Sequence, residues 1–122
     1  MWWLDLCQLG DVVIDVGAHI GDVSLSFANR VRGVGGRVFA IEPGPKIFEG
    51  LVSRTRGESS IVPLRLACGD APDVRSVVHY IHWTLLDWDH PDAPTWQTMA
   101  RADQDISLKE RFTATILPLD TI

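Results

Sequence analysis

Two glycines, Gly17 and Gly21, stand between Asp15 and Asp22 directly after the β-prone run Val12-Val13-Ile14-Asp15-Val16. A carboxylate, Glu42, closes the next apolar run, Arg37-Val38-Phe39-Ala40-Ile41. These residue types can hold a ligand. Glycine lets backbone approach it closely, and a carboxylate accepts hydrogen bonds from neighbouring hydroxyls or attracts a cation. Strand, glycine turn and helix form the front half of a nucleotide-type binding unit.

The turn differs from a dinucleotide fingerprint, in which a middle glycine leaves room for a pyrophosphate to approach bare backbone. His19 occupies that middle position, and Asp15 and Asp22 flank the turn with negative charge. Such a loop suits a ligand bearing cationic groups better than a dianion, which disfavours a nicotinamide-dependent oxidoreductase. S-adenosylmethionine offers an ammonium and a sulfonium and no phosphate. Glu42, at the carboxyl end of the neighbouring strand, can accept hydrogen bonds from both hydroxyls of a ribose.

The elements that must position these residues follow from hydrophobic periodicity. Val12 to Val16 reads as a buried parallel strand. Ile20, Val23, Phe27 and Val31 recur at helical spacing and predict a helix over roughly 20–31, with Asp22 in its first turn and Gly33, Gly35 and Gly36 ending it. A second strand covers Arg37 to Ile41. Pro45 then opens a second helix whose apolar face is Ile47, Phe48, Leu51 and Val52, ending near Gly57. A third strand spans Ile61 to Ala67, and Pro63 within it predicts a sheet edge.

This alternation implies a parallel sheet with crossover helices. Beyond Asp70 the pattern changes. Val74 to Trp83 is β-prone, Phe112 to Leu119 alternates like a half-buried strand, and Thr84 to Lys109 reads as a mostly irregular insertion. Residues 1–10 read as the end of something that packs on the sheet.

A chain of 122 residues supports one domain with one core. Its net charge of −5 argues against nucleic acid as a surface-bound partner. Cys7 and Cys68, without CxxC spacing, suggest neither a disulfide framework nor a zinc site, and a reducing, cytoplasmic setting is expected. No run of eighteen apolar residues and no signal peptide is found, so no membrane association is expected.

The segments Gly10 to Gly21, Val38 to Pro43 and Leu66 to Asp70 resemble the successive motifs of FkbM-type S-adenosylmethionine-dependent methyltransferases. Leu117-Pro118-Leu119-Asp120 resembles the Leu-Asp step before that family's fourth core strand, so the likeness runs from Gly10 to Ile122. It implies a Rossmann-like class I methyltransferase fold of which residues 1–122 hold the N-terminal, cofactor-binding portion: three parallel strands, two crossover helices and a β-rich insertion.

Carried over residue by residue, it implies that Asp15, Gly17 and Gly21, with Val16 and Ala18, shape the pocket for the methionine part of S-adenosylmethionine. It further implies that Glu42 holds the ribose with Pro43 beside it, and that Ala67 and Cys68 border the adenine. Family members commonly methylate a hydroxyl of a sugar or other small molecule, by direct displacement at the sulfonium methyl. The family's fourth strand and the acceptor-binding residues would follow Ile122, so the chain reads as truncated at its C-terminus. The first strand is then left with one bare side. The alternative is a truncated, non-catalytic module that binds the cofactor weakly or not at all.

Other residues carry simpler readings. Asp15 could cap the turn through backbone N–H groups, and His19 reads as a loop residue near the pocket mouth. His79 and His82 would point to opposite faces of a strand, against a metal site. Asp87, Asp89, His90 and Asp92 lack the glycine and closing glutamate of a calcium loop. Trp83, Trp88 and Trp96 are expected to pack the insertion down, with an acceptor pocket as the alternative. Cys68 reads as a small buried hydrophobe.

Overall fold

The computed structural model describes residues 2–79, 84–86 and 110–122. Its first half is a parallel sheet with two helices. Strand β1 (Val12–Val16) leads to helix α1 (Asp22–Val31), β2 (Arg37–Ile41), helix α2 (Pro45–Thr55) and β3 (Ile61–Leu64). The strand order is β1-β2-β3, all pairs parallel, with Val12 opposite Arg37 and Val38 opposite Ile61. This is the parallel sheet with crossover helices expected from the alternating periodicities, and it is consistent with the partial Rossmann-like fold that the resemblance implies.

The core lies where α1 and α2 cover the sheet: Ala28 and Val31 of α1, Val38 and Ala40 of β2, Leu51 of α2 and Ile61 of β3, with Ala18 from the loop. Pro45 takes the first turn of α2, where its missing N–H costs nothing. The expected face of α2 is present, with Leu51 fully buried and Phe48 packed against the core. The carbonyls of Ser60, just before β3, and of Leu64, at its end, accept from the N–H groups of Val38 and Glu42. By strand alternation Pro63 therefore turns its missing N–H to the open edge.

Several expectations need revision. Helix α1 starts at Asp22, two residues late, because Gly21 is left-handed (φ 95°) and ends the turn before it. Its buried face runs through Ser24, Ala28 and Val31, while Val23 is exposed. The apolar stripe read from the sequence is thus rotated, with a serine at a core position. The third strand stops at Leu64. Ala67–Cys68 is a separate strand, β4, that belongs to a second sheet with β5 (Asp73–His79), β6 (Thr84–Leu86) and β7 (Glu110–Leu117), in the order β4-β7-β5-β6.

Strand β6 occupies part of the stretch read as an irregular insertion, because β5 and β6 pair antiparallel. The alternation read in 112–119 is present: Ala114 and Ile116 are buried, and Val77 lies opposite Phe112. Residues 80–83 and 87–109 lie outside the described residues, and with them His82, the Asp87–Asp92 cluster and Trp83, Trp88 and Trp96.

The N-terminal segment forms a short 3₁₀ helix, Trp2–Leu6, that packs on α1. Trp3 packs against Phe27 in a tilted arrangement, 4.9 Å between ring centres, and Arg30 pairs with Asp5 at 2.8 Å. Among the described residues β1 pairs with β2 alone. Val12, Ile14 and Val16 on its outer face are 61%, 46% and 53% exposed.

Candidate functional site

The carboxyl ends of β1 and β2 meet above the sheet. Gly17 and Ala18 both donate their N–H to the carbonyl of Ile41, each at 2.9 Å, which carries the β1–β2 pairing into the turn. One residue on, the N–H of His19 reaches the side chain of Glu42, donating to Oε1 at 3.0 Å. The other oxygen, Oε2, accepts from the N–H of Gly44 at 2.9 Å. Glu42 is only 4% exposed. Its carboxylate therefore sits below the surface, held by two main-chain donors, one from each loop.

The loop conformation explains its residue types. Gly17, His19 and Gly21 all have positive φ, at 78°, 54° and 95°. A Cβ at Gly17 would meet no protein atom within 4 Å, so bare backbone borders open space there. Gly21 differs: a Cβ would stand 2.8 Å from Cδ1 of Leu51 and 3.1 Å from Cγ2 of Thr55. Gly21 thus lets the start of α1 close onto α2. His19 is exposed and pays for its left-handed backbone, unusual for a non-glycine, with the bond to Glu42.

Asp15 points to the covered side of β1. Its Oδ2 accepts from the hydroxyl of Ser24 at 2.6 Å, so its partner is a helix side chain and not the turn N–H groups. Asp22, by contrast, is exposed and pairs with Arg54 of α2 at 2.6 Å, and Arg54 also donates to the carbonyl of Ile20 at 3.3 Å.

The remaining sequence-proposed residues are more dispersed. Val16 is exposed and Pro43 half-buried beside Glu42. The side chain of Ala18 belongs to the core, leaving only its backbone at the turn. Ala67 and Cys68 sit on β4, paired to Ile116 and Leu117 of β7, and are half-buried. Burial pushes the Cys68 thiol up from its ordinary 9.0. Both cysteines are free, and no cluster of His, Cys, Asp or Glu among the described residues could hold a metal. The sequence reading did not anticipate Ser24. Its signal was available: a hydroxyl at a core position, spaced i, i+4, i+7 with Ala28 and Val31.

Residues 15–121 match the methyltransferase FkbM domain. The chain belongs to that family. The match begins at Asp15, so it includes the glycine turn, Glu42, β4 and β7. Among solved structures, the FkbM chain is similar to Aeropyrum pernix fibrillarin in complex with natively bound S-adenosyl-L-methionine. That likeness has a TM-score of 0.45 and 22% identity, covering 49% of this chain and 26% of that one. The FkbM chain thus spans about a quarter of the neighbour's length. No curated protein matches it.

Proposed function

We propose that the chain binds S-adenosylmethionine at the carboxyl ends of β1 and β2, and serves methyl transfer to a hydroxyl oxygen of a small molecule or sugar. The observation that carries this reading is the bond from His19 N–H to Glu42: it brings the glycine turn and the buried carboxylate within one hydrogen bond of each other. The residues suit the cofactor. Gly17 offers unobstructed backbone, Asp15 offers an acceptor for an ammonium, and Glu42 offers acceptor positions for ribose hydroxyls. Pro43 would flank the ribose, and Ala67 and Cys68 the adenine.

When bound, S-adenosylmethionine supplies a methyl group on a positively charged sulfur, ready for displacement by an acceptor oxygen. The chain's part is alignment. The turn and Glu42 fix one partner so that the reaction gains from proximity instead of awaiting a chance encounter. Flanking carboxylates favour the cationic cofactor over its neutral product. A cytoplasmic setting fits two free cysteines. Among the described residues no helix is long and apolar enough to cross a membrane.

A second reading is a module that holds the cofactor without turnover. Calorimetric titration with S-adenosylhomocysteine and with NAD tests the cofactor assignment. Binding of the first alone is the expected result. Binding of NAD alone, or of neither, refutes it. Methyl transfer from labelled S-adenosylmethionine to a panel of hydroxylated acceptors then separates enzyme from module.

A further inference from the structure

Ser24 is fully buried on the face of α1 that packs on the sheet, in line with Ala28 and Val31. An alanine would fill that place without any polar group to satisfy. A buried hydroxyl costs free energy unless it is hydrogen-bonded, and Ser24 spends its proton on one atom, Oδ2 of Asp15, at 2.6 Å. The bond spans two elements, the end of β1 and the first turn of α1, and encloses the glycine turn. Among the described residues Oδ1 of Asp15 accepts no hydrogen bond. One oxygen is fastened and the other is left over.

We propose that Ser24 is a positioning residue: by holding Oδ2 it fixes the rotamer of Asp15, so that Oδ1 is presented to the ammonium of the cofactor's methionine part. This inference rests on the cofactor reading above. It assigns a discriminating role to Ser24, since a fixed acceptor matters only for ligands that carry the amino-acid portion. The adenosine portion, held at Glu42, should be indifferent to it.

The test uses two probes, S-adenosylhomocysteine and 5′-methylthioadenosine, which shares the nucleoside and the thioether sulfur but lacks the amino acid. In Ser24→Ala the first should bind about tenfold more weakly, the scale of one hydrogen bond to a charged group. The second should be unchanged within about twofold, inside ordinary surface-level effects. Ser24→Thr keeps the donor and should restore most of the loss. Ser24→Cys, with similar volume and a weak donor, should fall between and serves if the alanine variant folds poorly.

Equal weakening of both probes would mean that Ser24 only supports the fold, and no weakening of either would mean that Asp15 needs no holding. Each result overturns this inference while leaving the cofactor reading intact. Failure of the unaltered chain to bind S-adenosylhomocysteine overturns both.

Discussion

Replacing Gly21 with alanine tests whether the loop is shaped by backbone conformation alone or also by contact with α2. At φ 95° any L side chain is strained, at about 1–2 kcal/mol. The added methyl would also stand 2.8 Å from Leu51 Cδ1 and 3.1 Å from Thr55 Cγ2. Neither neighbour can yield cheaply. Leu51 is fully buried, and the Thr55 hydroxyl is pinned to the Leu51 carbonyl at 2.8 Å. Overpacking of this kind adds about 1–3 kcal/mol, for a total of about 2–5 kcal/mol.

Gly17→Ala provides the control. Its φ of 78° carries the same kind of strain, but its Cβ would meet nothing within 4 Å. Urea unfolding should therefore show about 1–2 kcal/mol lost in Gly17→Ala and clearly more in Gly21→Ala. Combining Gly21→Ala with Leu51→Ala should cost less than the sum of the two, because the second change removes the clash. Equal losses in the two glycine variants, or strict additivity in the double variant, would refute the packing role of Gly21.

Three further outcomes follow from the same geometry. Glu42→Gln places an amide where two backbone N–H groups require acceptors; about 1–3 kcal/mol of stability should be lost in urea unfolding, and calorimetry should show weaker binding of S-adenosylhomocysteine. The hydroxyl of Ser60, with Arg32 beside it, holds the Glu58 carboxyl below its ordinary 4.5. The stability gap between the native chain and Ser60→Ala should then be full above that pH and close as pH falls through the lowered value. It should stay below about 1 kcal/mol, since the pair is partly exposed; a gap that widens in acid contradicts this. The raised Cys68 thiol remains protonated near neutral pH, so peptide mapping should find it alkylated slowly until urea exposes it.

Much of the parallel half was legible because its signals are local and agree. Val12-Val13-Ile14 predicts a strand, Pro45 a helix start, Pro63 an edge, and each is found where the periodicity put it. The face of α1 was misread because Ile20 lies in the turn before the helix, so counting from it rotated the stripe onto Val23. The break between β3 and β4 was missed because Ile61 to Ala67 is apolar apart from Arg65 and holds no glycine or other turn residue at the break. Only the pairing of Ala67 and Cys68 with the distant β7 separates them, a contact between residues some fifty positions apart. Strand β6 was missed for a similar reason, since its partner β5 and not its own composition determines it.

The site was legible as residue types but not as a mechanism of support. Spacing placed Gly17 and Glu42 at adjacent strand ends; it could not reveal that Glu42 holds the turn together. A carboxylate offers about four acceptor positions, and two are taken by His19 and Gly44. The remaining two match the number of hydroxyls on a ribose edge. A surface glutamate would have to be ordered when ligand arrives, losing side-chain freedom at that moment. Glu42 is already fixed by main-chain donors, and the left-handed backbone of His19 is stabilised by the same bond. Under the proposed cofactor reading, turn shape and nucleoside recognition would both depend on this one side chain, and weakening Glu42 should loosen both together.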